Sequence, residues 1–234
     1  MRAKAIVKIC ICGTIALVLA SMLVSLLALP RVLDWKIGDL SFHWIDDHGS
    51  DEGYTVGEAS VSGEVRELDV SWLSGSVTVE LTDGDAVTLR EEPQPESSDA
   101  RMRWKLQDGK LTVYSQKSGL TIPTRAKQLT IGIPAGRAGK LQKLSLDLSA
   151  ATASLPALTL RELELDSVSG SVTLTGGSYE NLDFDSTSGD LTVTDAAVGE
   201  LSADTTSGSL TLGGAFETID FDTTSGALHL TASA

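Results

Sequence analysis

Cysteine is almost absent from this sequence, and the two examples lie close to the N-terminus. They are Cys10 and Cys12, so the chain after them contains no thiol. A disulfide framework, a thiol nucleophile and a cysteine-based zinc site are therefore excluded from everything beyond residue 30. Histidine is also scarce, with three residues in 234.

Lysine and arginine are missing from the last third of the chain. Residues 162–234 contain thirteen acids and no basic residue, whereas residues 101–143 contain ten basic residues and one acid. The net charge of −14 argues against nucleic acid as a partner, because phosphates attract cations. The basic block has two interpretations: attraction to anionic wall polymers or lipid headgroups, or a solvated surface balanced by acidic neighbours.

One short phrase recurs throughout residues 144–230. The copies are Leu163–Gly170, Leu182–Gly189, Leu201–Gly208 and Ile219–Gly226, after a degenerate first copy, Leu144–Ala151. Their glycines are 19, 19 and 18 residues apart. A fixed period near twenty, built from strand-like pieces, is typical of a solenoid whose coils bury their apolar faces by stacking.

Apolar residues alternate within each repeat, as in Leu163 and Leu165, then Val172 and Leu174. A period of two places these side chains on one face of a strand and their polar neighbours on the other. We therefore predict an all-β fold, a parallel β-solenoid with coils of about 19 residues. Each coil is expected to be flattened, with two strands joined at Ser-Gly, where glycine tolerates positive φ.

Each predicted corner also carries an aspartate four residues before its glycine. The repeat-turn residues are Asp166, Gly170, Asp185, Gly189, Asp204, Gly208, Asp222 and Gly226. One interpretation is a carboxylate ladder for calcium or a cationic polymer. The other, which we favour, is that each aspartate and its Ser/Thr neighbours hydrogen-bond their own turn. The Gly-Gly-x-Gly-x-Asp phrase of calcium-binding solenoids is absent.

The order and number of these phrases carry a family resemblance. The repeated Asp-(Ser/Thr)-x-Ser-Gly-x-(Leu/Val)-x-(Leu/Val), preceded by Leu129–Gly136, resembles the bacterial β-strand-repeat, putative-adhesin family, a domain of unknown function. Leu68–Val79 resembles it too, so the likeness extends from Val61 to the end of the sequence. The resemblance implies an envelope-facing β-solenoid on a membrane anchor, often linked with envelope-stress or regulatory operons. It supplies no catalytic residues.

The N-terminal segment predicts a membrane anchor. Arg2, Lys4 and Lys8 precede an uncharged run of 21 residues, Ile9 to Leu29. That run is long enough to span a bilayer as one helix, and the positive flank places the N-terminus in the cytoplasm. A signal peptide cleaved after Ala20 is the alternative. We predict an anchor (1–30), a juxtamembrane spacer (31–60), an aperiodic N-terminal β part that caps the solenoid (61–143) and the regular repeats (144–234).

The predicted spacer contains a weak candidate for a metal site. Its residues are His43, Asp46, Asp47 and His48. Imidazole and carboxylate groups suit a divalent cation. A solvated spacer is the favoured interpretation, however, so we expect neither a bound metal nor a cofactor.

The repeats favour binding over catalysis. They offer aspartate, serine and threonine in regular rows, without the irregular polar cluster that a carbohydrate-active β-helix enzyme uses. We expect a non-catalytic, membrane-anchored, extracytoplasmic binding or sensing module, with another envelope or regulatory membrane protein as partner. An adhesin, or a protein that associates with an anionic cell-wall polymer, is the alternative.

Overall fold

The computed structural model describes residues 51–117 and 126–232. The predicted anchor and the four candidate metal ligands, His43, Asp46, Asp47 and His48, lie outside these ranges. No helix in the described ranges is long and apolar enough to cross a membrane.

Strands make up most of the described chain, which confirms the all-β prediction. In chain order the elements are β1 (Thr55–Val56), β2 (Ala59–Val61), β3 (Glu67–Thr82), β4 (Val87–Glu92), β5 (Arg103–Gln107), β6 (Lys110–Tyr114), β7 (Lys127–Pro134), α1 (Ala135–Ala138), β8 (Lys143–Leu155), β9 (Thr159–Ser167), β10 (Val172–Thr175), β11 (Ser178–Ser186), β12 (Leu191–Thr205), β13 (Leu210–Thr223) and β14 (Leu228–Ala232). β1 lies in the predicted spacer, and β2 crosses its end at residue 60.

Successive repeats pair in parallel, one period apart, as the solenoid prediction requires. One column of directly paired residues is Leu144, Leu163, Leu182, Leu201 and Ile219. The long strands β8 and β12 bend round the coil, because each pairs with β10 through one half and with β9 or β11 through the other. As a result β8, β9, β11, β12 and β10 form a closed ring of five parallel strands.

Each regular coil contains three inward-facing runs, so the expectation of two strands in a flattened coil was incomplete. Leu158 and Leu160 form the additional run and are 2% and 3% exposed. In the next coil Tyr179 pairs with Leu160 and is equally buried. The alternation slips by one residue between Leu160 and Leu163, since residues 161 and 162 both face away from the core. A prediction that relies on strict alternation of apolar and polar residues therefore misses this run.

The shorter last repeat has a local explanation. Val193 pairs with Leu212, nineteen residues on, whereas Ala196 pairs with Gly214, eighteen residues on. The register shift between these pairs contains Asp195, which has a φ of 56°. One extra residue therefore bulges from β12, and the following coil stays in register without it.

The N-terminal β part contains a further coil that lies out of chain order. β3 pairs in parallel with β8, from Glu67 with Lys143 to Thr78 with Ser154. On its other edge β3 pairs in parallel with β6 and β7, although both follow it in the sequence. The chain therefore passes over β3 between β7 and β8, and α1 lies in that connection.

Antiparallel strands cover the outer side of β6 and β7. β5 pairs with β6 as a hairpin, across a turn in which Asp108 and Gly109 both have positive φ. β1 then pairs with β5, while β4 pairs with β7 and β2 pairs with β4. This end of the solenoid is thus closed by two- and three-residue strands.

A buried ion pair joins β4 to β7. The ammonium of Lys127 lies 2.6 Å from the carboxylate of Glu91, and it also donates to the carbonyl oxygens of Ala100 and Ser115. Glu91 in turn accepts the backbone N–H of Met102. Because both charges are buried and hydrogen-bonded, loss of either partner would leave an uncompensated charge in the core.

The fold predicts different costs for two phenylalanines at the same place in the repeat. Phe184 is 1% exposed between coils, whereas Phe221, two coils on, packs only partly against the core. We expect Phe184→Ala to lower the free energy of unfolding by about 3–5 kcal/mol, and Phe221→Ala by about half of that or less. Urea unfolding followed by fluorescence measures both. Equal losses would contradict the finding that the part of β13 around Phe221 has a neighbouring strand on one edge only.

Candidate functional site

The repeat corners are built by a hydroxyl residue that directly follows each aspartate. In four successive corners this hydroxyl oxygen accepts the backbone N–H of the glycine three residues on, at 2.7–2.9 Å. The four hydroxyl residues are Ser167, Ser186, Thr205 and Thr223. The sequence signal for them was present, because Ser or Thr precedes the glycine by three residues in every regular copy.

The corner glycines are required for a reason that differs from the expected one. Gly170, Gly189, Gly208 and Gly226 do not have positive φ. A Cβ at each would instead collide with the carbonyl oxygen of the coil before it, such as that of Gly170 for Gly189. Positive φ occurs at the matching position in β3, where Gly75 has a φ of 105°. Close backbone approach between coils therefore selects glycine at the four repeat corners.

The aspartates four residues before these glycines lie on the outward face of their strands. Asp147, Asp166, Asp185, Asp204 and Asp222 pair in register from β8 to β13. Two residues earlier, a second column contains Glu164, Asp183, Ser202 and Asp220 in register. We call the carboxylates of these two columns the acidic strip. Neighbouring strands are about 4.8 Å apart, so like charges lie close along its length.

Partial burial and the neighbouring carboxylates raise the pKa of two carboxylates in the middle of the strip. Partial burial, followed by the charges of Asp185 and Glu164, raises the pKa of Asp166. Partial burial, followed by Glu164 and Asp185, raises the pKa of Asp183. A shallow depression of about 310 Å³ lies over this part of the strip, between Glu164 and Asp204. The middle of the strip is therefore a concave surface of high negative charge.

In the described ranges, a lysine pairs with one end of the strip. The ammonium of Lys143 lies 2.7 Å from Glu164 and 3.2 Å from Glu162, and its hydrogen bond lowers the pKa of Glu164. From Glu162 onwards the sequence contains no lysine or arginine. Lys143 therefore balances part of the negative charge of the strip near β8 and β9. The later coils contain no basic residue that could balance the rest.

Within the described ranges, no group of three or more His, Cys, Asp and Glu residues has an arrangement that could hold a metal ion. Asp166, Asp185, Asp204 and Asp222 are brought together as a column, one per strand. Such a column offers a row of separate anionic contacts to a long cationic partner.

Five of the ten basic residues in the block 101–143 form ion pairs in the described ranges. Arg103 lies near Asp51 and Asp99, Lys117 near Asp99, and Lys110 is 2.8 Å from Asp69. Lys127 pairs with Glu91, and Lys143 pairs with Glu162 and Glu164. This arrangement supports the interpretation of the block as a surface balanced by acidic neighbours.

The close approach of the corners predicts a large effect from one methyl group. We expect Gly189→Ala to lower the free energy of unfolding by about 2–3 kcal/mol, because its Cβ meets a backbone carbonyl that cannot move without shifting a coil. Gly139→Ala, where a Cβ would meet open space, is the matched control and should be neutral within about 0.5 kcal/mol. Thermal and urea unfolding of both variants check this. A neutral Gly189→Ala would refute the steric explanation.

The raised pKa of Asp183 predicts a pH-dependent effect. The folded state binds the proton of the Asp183 carboxyl more tightly than the unfolded state does. Asp183 therefore contributes stability at pH values below its pKa in the unfolded state. This contribution is lost as the pH rises through its pKa in the folded state. We expect Asp183→Asn to stabilise the protein by about 0.5 kcal/mol at pH 7 in low salt, with the gain shrinking towards pH 3. Glu58→Gln, in the turn between β1 and β2, is the matched control for the loss of one surface carboxylate. A gain that is constant with pH would argue against charge crowding.

Three solved structures show weak similarity to the chain, each with a TM-score below 0.5. A putative adhesin from Parabacteroides distasonis ATCC 8503 is 15% identical, with a TM-score of 0.44 over 76% of this chain and 84% of that one. A putative adhesin from Bacteroides fragilis NCTC 9343 is 13% identical, with a TM-score of 0.42 over 77% and 98%. A putative cell adhesion protein from Clostridium sporogenes ATCC 15579 is 11% identical, with a TM-score of 0.35 over 76% and 100%.

No curated protein matches the chain significantly. The family model described as Toastrack DUF4097 matches residues 65–234, which is well over half of the sequence. That span contains β3, whose coil lies out of chain order, and all the regular repeats. The resemblance carried by the repeats is confirmed at the level of the family, and the chain belongs to the Toastrack DUF4097 family.

Proposed function

We propose that the protein is a non-catalytic binding module whose acidic strip receives a cationic partner protein. The observation that carries the proposal is the in-register repetition of outward carboxylates over consecutive coils, from Asp147 to Asp222. Solenoids use extended surfaces of this kind to bind elongated partners. The absence of lysine and arginine after Arg161 leaves the later coils with an attraction for positive charge.

In this proposal the solenoid lies on the extracytoplasmic side of the cell membrane, tethered by a single-pass anchor. The uncharged run from Ile9 to Leu29 and its basic flank support this topology, with the N-terminus in the cytoplasm. The partner is then another envelope or regulatory membrane protein. A sensing role would follow from a partner that carries the signal across the membrane.

Association with an anionic wall polymer has less support. Such a polymer requires a surface with accessible cations, and five of the ten basic residues in the block, Arg103, Lys110, Lys117, Lys127 and Lys143, have carboxylate partners within 4 Å. The charge distribution therefore favours a basic protein surface over an acidic polymer.

Photo-crosslinking in native membranes tests the proposal. We expect a photoreactive amino acid in place of Ser202, in the strip, to give a discrete adduct with one partner. The same substitution of Thr173, outward on β10, should give none, because Thr173 lies on a different side of the coil. The adduct should disappear in about 1 M salt, where the Debye length falls to about 3 Å.

Protease treatment of intact protoplasts provides the control for location. The solenoid should be digested from outside while the N-terminal segment stays with the membrane. Protection of the whole chain would contradict the extracytoplasmic assignment.

In the crosslinking experiment, adducts of equal yield from positions 202 and 173, or from neither, would contradict binding through the strip.

A further inference from the structure

In the described chain, the two ends of the solenoid differ in whether further strands cover the outer backbone edge. At the β6–β7 end, antiparallel strands cover the coil and finish in the very short edge strands β1 and β2. Short edge strands limit pairing with other chains. The other end lacks this arrangement. In residues 126–232 no strand pairs with the outer edge of Ile219–Thr223 or with that of β14.

The uncovered edge carries apolar side chains as well as backbone groups. Phe216, Ile219, Phe221 and Leu228 are only partly buried, whereas residues at matching positions one coil earlier are buried. Leu230 is 59% exposed, while Leu212, which pairs with it, is fully buried. One additional strand with inward apolar residues would bury these side chains as every inner coil does.

The charges along this edge select the occupant. Asp220 and Asp222 flank Phe221 on the outward face and end the acidic strip. A second copy paired about a two-fold axis at Phe221 would set Asp220 of one copy against Asp222 of the other. Like charges directly opposite each other destabilise a strand pair, and no lysine or arginine follows Arg161 to offset them.

We propose that the edge formed by Ile219–Thr223 and β14 binds an extended segment of the partner, with lysine or arginine alternating with apolar residues. The segment adds as the next strand of the solenoid. Its backbone pairs with the open edge, its apolar side chains cover Ile219 and Phe221, and its cations face Asp220 and Asp222. This inference rests on the proposed function and identifies the part of the partner that docks.

Binding of a synthetic peptide to the full-length protein in lipid nanodiscs provides the test. The probe is a fluorescent seven-residue peptide in which lysine alternates with valine. We expect saturable binding that weakens at least fivefold in the double variant Asp220→Asn/Asp222→Asn. The matched control, Asp83→Asn/Asp85→Asn, removes the same charge from the exposed turn between β3 and β4, outside the acidic strip. It should change affinity less than twofold, because that turn lies beyond β8, more than about 20 Å from the added strand and well beyond the Debye length of about 10 Å at 0.1 M salt.

Two further peptides separate strand addition from simple charge attraction. Methylation of alternate backbone nitrogens keeps the charge but removes the hydrogen bonds of a strand, and should weaken binding at least tenfold. Replacement of lysine by glutamate should abolish binding. Equal binding of the methylated peptide, or equal weakening by the two double variants, would overturn the proposal in favour of a general electrostatic contact.

Self-association is the remaining outcome. If the nanodisc-bound protein dimerises through this edge and does not bind the lysine–valine peptide, the occupant is a second copy and the proposal is wrong. Circular dichroism establishes that each variant is folded. Crosslinking from position 202 reports on the strip without requiring strand addition. A partner adduct at position 202 together with failure of the peptide test would therefore refute the edge proposal and leave the binding function intact.

Discussion

Close parallel stacking of one coil on the next is the constraint on which the rest of the structure depends. At the repeat corners the backbones approach so closely that a Cβ would meet a carbonyl oxygen, which fixes glycine at Gly170, Gly189 and Gly208. The hydroxyl three residues earlier satisfies the glycine N–H in this confined space. Because each coil contacts only its neighbours, the same residue types recur in the same places.

The surface properties follow from that stacking. A residue type that faces outward in one repeat faces outward in all, so aspartates near each corner become the acidic strip without any long-range arrangement. The same geometry leaves a backbone edge wherever stacking stops. At the β6–β7 end antiparallel strands occupy it, and at β13 and β14 the described chain leaves it open. The proposed extended basic partner rests on these two features, the charge of the strip and the open backbone edge.

The sequence predicted the repeat register and the inward residues from Leu163 to the end of β10, because the apolar residues Leu163 and Leu165, then Val172 and Leu174, alternate with polar ones. It missed the run of Leu158 and Leu160, since the alternation slips before Leu163. The glycine spacing was visible, but its cause was assigned to positive φ because distances between coils are not encoded locally. The insertion of β3 between β6–β7 and β8 was also hidden. Strand order in space depends on which edges meet, and the alternation within Leu68–Val79 fits a coil in any order.

Amide hydrogen exchange of the free, full-length protein tests the stacking account most directly. Each inner strand has neighbours on both sides, so its amides should open only with the coil. The account predicts strong protection in β9, β11 and β12, and faster exchange in Ile219–Thr223 and β14. Equal protection in the last coil and the inner coils of the monomeric protein would contradict the open edge. Weak protection in β11 would contradict the stacked, glycine-cornered solenoid itself.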